Sequence, residues 1–283
     1  MAWLLLTLLA VIFFSSNNLF HRLLMKDEQS DPYAQSIVFF GIAGIFALFF
    51  SFFHGGFHYQ ITVNQLILFL PLALCTTAGP VLLFKSFQLI DASENAILQS
   101  SQKLWTVLGA FLFLRELFSS KKLAGTIITI IGIALALWNK KRFMLNKGVL
   151  FVLMATVFYS GADLISFYLV RDFDPLSLIV YVCFLPVVTL LLIRPKTIHK
   201  ITFYCKPKYA LYVSVLGLSD TLGTVCTFYA YQIGRNAAQI TPILATITII
   251  SVLMGIVFLK ERSNIQNKIL GAVVTVVGVL LVV

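Results

Sequence analysis

Lys103 lies within an apolar stretch of the chain, with polar residues on both sides of it in the sequence. A helix turns by about 100° per residue. If this stretch is helical, five polar residues therefore fall within about 100° of its circumference and form one face: Asn95, Gln99, Gln102, Lys103 and Thr106. An ammonium in such an environment is energetically costly, and it suits a carboxylate or phosphate ligand. We therefore predict that Lys103 and its polar neighbours bind substrate or gate the site. The alternative is a structural ion pair between Lys103 and an acidic side chain.

Asp220 begins a second polar face. Thr224, Thr227 and Tyr231 follow it at i+4, i+7 and i+11, which is the spacing of one face of a helix. The carboxylate could bind a substrate amine, carry a coupling proton or pair with Lys103. The sequence leaves these three roles open, and we predict that the whole face takes part in binding.

Asp163 lies near the middle of another apolar stretch, and the repeat described below aligns it with Asn18. We predict a coupling or gating role for Asp163, because an acidic side chain in such a place can load and release a proton. Asn18 is a candidate ligand. Trp105 and Tyr159 lie near these positions and are candidates to pack on a substrate, with core packing as the alternative. Pro80 lies inside a long apolar stretch and predicts a hinge or a static kink.

The elements that position these residues are transmembrane helices. Of the 283 residues, 59% are hydrophobic and 11% are charged, and the mean hydropathy is +0.95. A soluble domain carries about 25% charged residues. The composition therefore excludes a soluble enzyme, a disordered chain and a secreted disulfide scaffold. Ten segments approach the length of about 20 apolar residues that crosses a bilayer: 2–24, 34–53, 65–89, 93–114, 122–138, 147–170, 176–193, 209–232, 237–259 and 267–283.

The second half of the sequence repeats the first. Residues 122–132 match residues 268–278 at an offset of 146, and residues 113–116 match residues 258–261 at an offset of 145. Matches in the first and third segments of each half have offsets of 145 and 144. Near-constant offsets across separate segments indicate duplication of a five-helix unit.

We accordingly divide the chain into two five-helix repeats, 1–142 and 143–283. Because five is odd, the second repeat enters the membrane from the opposite side. The predicted fold class is an all-α integral membrane protein with ten transmembrane helices in two inverted repeats. Such repeats are typical of transporters whose substrate site lies near the midplane, between the halves.

Each repeat contains Phe-Leu-(Arg/Lys)-Glu, followed by a helix with two glycines seven residues apart. In this pattern the sequence resembles the EamA branch of the drug/metabolite transporter superfamily, over nearly its whole length. The resemblance implies a carrier for small metabolites such as amino acids, nucleosides, choline or sugars, and some relatives handle lipid-linked groups. It also implies that helices 1–4 and 6–9 line a cavity, with helices 5 and 10 outside. We interpret the glycines as close-packing positions and the glutamates as caps or ion-pair positions: Gly125, Gly132, Gly271, Gly278, Glu116 and Glu261.

The net charge of +10 comes mainly from short loops, so we predict no nucleic-acid partner. Most of the 21 Lys and Arg residues lie in the loops after odd-numbered helices. The loops after even-numbered helices carry Arg115, Lys121, Lys122, Arg171 and Arg235. The positive-inside rule then places both termini outside the cytoplasm, in a multi-pass protein of the cytoplasmic membrane. The resemblance implies the reverse, because exporters of this kind are described with both termini inside.

The sequence has no HExxH, GxSxG, P-loop or Cys/His cluster, so we predict no enzyme activity, no cofactor and no metal. We predict a secondary transporter that moves a small polar or zwitterionic, amino-acid-like metabolite by alternating access, with proton coupling as a hypothesis. The alternative is a flippase for a lipid-linked or phospholipid-type substrate, whose phosphate Lys103 would also suit. The expected partners are the substrate and the lipid bilayer, and the chain is a monomer or a homodimer.

Overall fold

The structure, a computed structural model, describes residues 2–53, 56–57, 61–102, 104–106, 108–109, 120–139, 142–143, 146–169, 174–234, 243–244, 246–261 and 264–282. Within these ranges the chain is almost entirely helical. Besides helices and short connecting segments, these ranges contain a pair of antiparallel two-residue strands, β1 (Trp138–Asn139) and β2 (Arg142–Phe143).

The helices of eight residues or more are numbered here in chain order. They are α1 (Ala2–Met25), α2 (Pro32–Phe53), α3 (Val63–Leu89), α4 (Ala92–Gln99), α5 (Ser120–Leu137), α6 (Lys147–Leu169), α7 (Pro175–Ile193), α8 (Pro207–Gly234), α9 (Ile247–Phe258) and α10 (Ile265–Val282). Short helical turns at Pro195–Thr197, Ile198–Ile201 and Thr202–Cys205 connect α7 to α8.

Six helices in the described part of the chain are long and apolar enough to cross a membrane. They cover Ala2–Met25, Pro32–Phe53, Gln65–Leu89, Lys147–Ser166, Leu176–Ile193 and Pro207–Thr227, and shorter apolar helices cover Ala124–Ala136, Ile247–Phe258 and Ile265–Leu281. Large apolar side chains such as Leu5, Phe53 and Leu192 are 63%, 77% and 77% exposed, which suits contact with lipid rather than water. The predicted all-helical, multi-pass membrane protein is confirmed.

The main helix contacts join the first half of the chain to the second. The principal pairs are α1 with α8, α3 with α6, α2 with α7, α4 with α9 and α5 with α10. Exchanging α1–α5 for α6–α10 converts the first pair into the second and leaves the other three unchanged. The packing therefore has the same pattern when the two halves are interchanged.

The glycines of α5 and α10 allow these helices to touch through their backbones. A Cβ added at Gly132 would lie 2.8 Å from the Thr275 Cα, and one added at Gly278 would lie 2.8 Å from the Thr129 Cα. These two contacts occupy matching positions of the repeat, at the offset of 146 found in the sequence. The predicted close-packing role is thus seen at both glycines.

Two of the predicted spans, 93–114 and 237–259, are not continuous helices, because each contains a turn. Ser100 and Ser101 form a turn between α4 and the helical residues that follow it, and Thr246 forms a turn before α9. The backbone N–H groups of these three residues donate to carbonyls three residues back, at 3.1, 3.0 and 3.1 Å. Serine and threonine hydroxyls offer alternative partners to the backbone and so favour a tighter turn there.

The loop between α1 and α2 packs against the connection between α7 and α8. Lys200 Nζ lies 2.6 Å from Asp31 Oδ2, and the Tyr209 hydroxyl donates to Asp27 Oδ2 at 2.5 Å. The Tyr209 hydroxyl and the backbone N–H of Gln29 lower the pKa of Asp27, because both stabilise its ionised form. At this face of the molecule, the loop between α1 and α2 of the first half therefore contacts the connection between α7 and α8 of the second half.

Candidate functional site

Asp220 meets α1 in the interior of the bundle. The Asn17 Nδ2 donates to Asp220 Oδ1 at 3.0 Å, and the Ser16 and Ser219 hydroxyls lie 3.3 Å apart one residue earlier on each helix. Ser219 Oγ also donates to the Phe13 carbonyl at 2.8 Å. The first and second halves thus share a polar contact at which the charged group belongs to the second half.

A chain of side-chain amides runs from α3 through α4 to α1. Asn95 Nδ2 donates to Ser86 Oγ at 2.5 Å, while Gln99 Nε2 donates both to Asn95 Oδ1 at 2.9 Å and to Asn18 Oδ1 at 3.0 Å. Asn18 Nδ2 donates in turn to Ser251 Oγ of α9 at 3.3 Å. The structure therefore joins Gln99 and Asn18, two predicted ligands from distant parts of the sequence.

The helical residues beyond the Ser100–Ser101 turn contact α6. Gln102 Nε2 donates to Asp163 Oδ2 at 2.6 Å, and Thr106 Oγ1 donates to Ser160 Oγ at 3.1 Å. Both contacts join residues that the sequence singled out to the second half of the chain. Together with the amide chain and the Asp220–Asn17 contact, they make a polar surface between α1, α4, α6, α8 and α9.

Other predicted ligands lie at the edge of this surface. Tyr159 is half-buried on α6, one residue before Ser160 and four before Asp163. The Thr227 hydroxyl donates to a carbonyl of its own helix at 2.8 Å, and Thr224 is half-buried. Trp105 is 38% exposed, so its ring faces outward in this conformation.

Three further predictions can be placed only in part. Lys103 and the side chain of Tyr231 lie outside the described residues. Pro80 is buried within α3, which continues unbroken through it. A hinge at Pro80 therefore stays a prediction.

Sequence reasoning missed the partners of the charged and amide residues. Asn17 and Ser251 contact the predicted ligands Asp220 and Asn18, yet neither was singled out as a candidate. Asn17 carried a usable signal, because Ser15-Ser16-Asn17-Asn18 interrupts the apolar run of the first helix. Ser251 stands between two apolar residues and gave no such signal.

Glu261 lies at a helix start rather than among these ligands. Its carboxylate accepts the backbone N–H groups of Ala92 and Ser93, at 2.7 and 3.0 Å, and thereby caps α4. The predicted capping role is seen at Glu261, while Glu116 lies outside the described residues.

The interior of this helical membrane protein therefore presents carboxylates, amides and hydroxyls that converge from both halves. The sequence model of the EamA-like transporter family matches residues 1–138 and 146–283. The chain belongs to the EamA-like transporter family. It is accordingly a membrane transporter of the drug/metabolite transporter superfamily, with a small-molecule substrate and a bilayer environment.

Comparison of folds gives a consistent result. One solved structure, titled "Crystal structure of protein", is similar with a TM-score of 0.63 and 15% sequence identity, over 98% of this chain and 94% of that chain. At this identity the likeness concerns the fold alone. No curated protein matches the sequence.

Proposed function

We propose that this EamA-like transporter is a secondary carrier that moves a small polar or zwitterionic, amino-acid-like metabolite across the cytoplasmic membrane by alternating access. The polar surface between α1, α4, α6, α8 and α9 is the observation that carries the proposal. Its amides, hydroxyls and carboxylates come from both halves, so a bound molecule would contact both. Movement of one half against the other would then expose that molecule to each side in turn.

Asp220 is the proposed ligand for the amino group of the substrate. Its Oδ1 accepts a hydrogen bond from the neutral amide of Asn17 at 3.0 Å. A neutral amide leaves the negative charge in place, and an ammonium group would satisfy it with charge-assisted hydrogen bonds. Asn17 Oδ1 is buried without a partner in the described residues and offers a further acceptor. Two acceptors close together favour a ligand rich in N–H donors.

Lys103 is the proposed ligand for the carboxylate end of the same substrate. It follows Gln102, whose amide donates to Asp163. A cation on the first half and an anion on the second would orient a zwitterion between them. Asp163 and Asp220 are the proposed carriers of a coupling proton.

An inverted repeat would explain three features of the packing. The helix pairs keep their pattern when the halves are interchanged. The turns at Ser101 and Thr246 lie 145 residues apart, the offset of the sequence repeat. The Gly132–Thr275 and Gly278–Thr129 contacts are repeat equivalents. We propose ten helices in two repeats, 1–142 and 143–283, related by a pseudo-two-fold axis in the membrane plane.

The proposal is tested by a ligand panel in a thermal stability assay on purified protein. The panel contains amino acids, nucleosides, quaternary amines and lipid headgroups, because a ligand that binds the folded state raises its melting temperature. We expect an amino-acid-like compound to raise the melting temperature of the wild-type protein. The shift should disappear in Asp220→Asn and in Lys103→Ala.

Asp174→Asn is the matched control for the panel. Asp174 caps α7 by accepting from the Ser177 N–H at 2.8 Å, and asparagine caps helices equally well. This control should keep the ligand shift. A shift that survives in both site variants would contradict the assigned ligands, and a panel in which only lipid headgroups act would favour a flippase over a metabolite carrier.

A further inference from the structure

A cluster of buried and half-buried charged side chains joins the two halves at one end of the polar surface. We call it the ionic joint, and it consists of Arg22, Asp91, Glu94, Glu261 and Lys268. Lys268 is fully buried, and its Nζ lies 2.6 Å from Asp91 Oδ2 and 3.6 Å from Glu94 Oε1. Arg22 Nη2 lies 3.8 Å from Asp91 Oδ1 on the other side. Asp91 is therefore shared between a cation of the first half and a cation of the second.

Glu261 completes the joint from the second half. Its two carboxylate oxygens accept the Ala92 and Ser93 N–H groups at 2.7 and 3.0 Å, and the Ser93 hydroxyl also donates to Oε2. Glu261 itself is 8% exposed. The start of α4 is thus capped by a residue that lies far away in sequence and in the other half.

The joint is continuous with the proposed site through α4. Asn95 and Gln99 follow Ser93 by two and six residues, which at 1.5 Å per residue places Gln99 about 9 Å further along the helix. Gln99 is also the residue that bonds Asn18. Any displacement of the start of α4 must therefore move the amide chain.

Stability alone does not account for these charges. A buried ion pair is on average no more stabilising than well-packed apolar side chains, because desolvation offsets the attraction. The α5–α10 contact joins the same two halves through close approaches of glycine and threonine, at Gly132–Thr275 and Gly278–Thr129. The ionic joint differs from such a contact when it opens, because its charged groups then exchange hydrogen bonds with the protein for hydrogen bonds with water. That exchange keeps the closed and open states close in free energy, which a moving contact requires.

We propose that the ionic joint is a gate that closes the site toward the face where the α1–α2 loop lies, and that Glu261 and Lys268 release the start of α4 when it opens. The proposal rests on the transport function above. Gln88 Nε2, at the end of α3, donates to the Ser30 carbonyl of that loop at 3.3 Å, which places the joint near this face.

The gate can be tested without a known substrate, by measuring how fast a thiol reagent reaches a cysteine placed in the site. Gln99→Cys is placed in a background lacking the native cysteines Cys75, Cys183, Cys205 and Cys226. The rate of its reaction with a membrane-impermeant methanethiosulfonate is measured in sealed vesicles of both orientations. We expect Glu261→Gln to raise the rate from the joint's face by about tenfold, the change that corresponds to losing one hydrogen bond to a charged group.

Lys200→Gln is the matched control. It removes an ion pair between the same two halves at the same face, but Lys200 is 60% exposed and its contact with Asp31 lies in solvent. The control should leave the labelling rate unchanged. An unchanged rate in Glu261→Gln as well would overturn the gate and make the joint a fixed anchor. Should Glu261→Gln fail to fold, Lys268→Met carries the same expectation.

A disulfide that holds the gate closed until it is reduced gives a second test, in which transport is measured. A Cβ at Gly255 would lie 3.3 Å from the Ser93 Cβ, close to the separation of about 3.5–4.5 Å in disulfides. The oxidised Ser93→Cys/Gly255→Cys variant should lose transport at least tenfold, and reduction should restore it. Equal transport in both states would overturn the gate. If the wild-type protein transports no compound, the proposed function fails, whereas the labelling result still decides the gate.

Discussion

The role of Asp220 depends on a neighbour in the other half of the chain. A carboxylate beside a lysine would form a neutral pair, whereas the Asn17 amide stabilises the charge without cancelling it. Asp163 likewise receives a hydrogen bond from a neutral amide, that of Gln102. Both acidic residues were recognised from their apolar surroundings in the sequence. The pairing of each acid with its amide was not predicted, because spacing along one helix carries no information about which residue of another helix lies opposite.

Replacing the two acids should uncouple transport from protons. In Asp163→Asn and Asp220→Asn the side chain keeps its shape but can no longer load a proton, so we expect transport in proteoliposomes to lose its response to a pH gradient. Asp174→Asn, at the start of α7, should respond as the wild-type protein does. A normal pH response in both site variants would exclude proton coupling through these residues.

At the scale of the helices, hydroxyl side chains accompany the turns at Ser101 and Thr246. The hydroxyls at Ser100, Ser101 and Thr246 interrupt helices that hydrophobic length alone predicts to be continuous. The turn at Ser101 is also held from outside, since its hydroxyl lies 3.0 Å from the Thr156 hydroxyl of α6. The helices on either side were predictable from apolar periodicity. The turn needed the tertiary partner, because a Ser-Ser pair is also compatible with an unbroken helix.

The close contact between α5 and α10 should be sensitive to a single methyl group. We expect Gly132→Ala and Gly278→Ala to destabilise the protein by about 1–3 kcal/mol, because the new Cβ meets backbone that cannot yield. The measurement is the apparent melting temperature in detergent, which should fall.

Gly41→Ala is the matched control for these variants. Gly41 lies inside α2 with no atom within 4 Å of an added Cβ, so alanine should raise or leave unchanged the melting temperature. Loss of stability in Gly41→Ala equal to that in Gly132→Ala would show that the α5–α10 contact is not the cause.

For the whole molecule, the distribution of charge in the loops predicts its direction in the membrane. The connection between α7 and α8 alone carries Arg194, Lys196, Lys200 and Lys206. The positive-inside rule places this face, and with it the ionic joint, in the cytoplasm. The gate proposed above would then control the cytoplasmic entrance.

A reporter fused to the C-terminus tests this orientation. We expect alkaline phosphatase to be active there and a fluorescent protein that folds only in the cytoplasm to be dark. A fusion of the same pair within the connection between α7 and α8 should give the opposite result. A cytoplasmic C-terminus would instead agree with the orientation described for related exporters.

The sequence by itself determined that this chain is a helical membrane protein, that it is duplicated and that it belongs with transporters. Composition and apolar length suffice for the first, because a bilayer demands long apolar helices. The near-constant offsets between matching residues indicate the duplication, and the repeated motif that ends in Glu261 indicates the kinship with transporters. Only the tertiary structure decided that Asn17 faces Asp220, that Gln99 bridges two helices and that Glu261 caps α4. The contacts of Asn17 and Glu261 join opposite halves, and the contact of Gln99 joins two helices of the first half. Hydrophobic periodicity fixes which face of a helix is polar but not which helix packs against it.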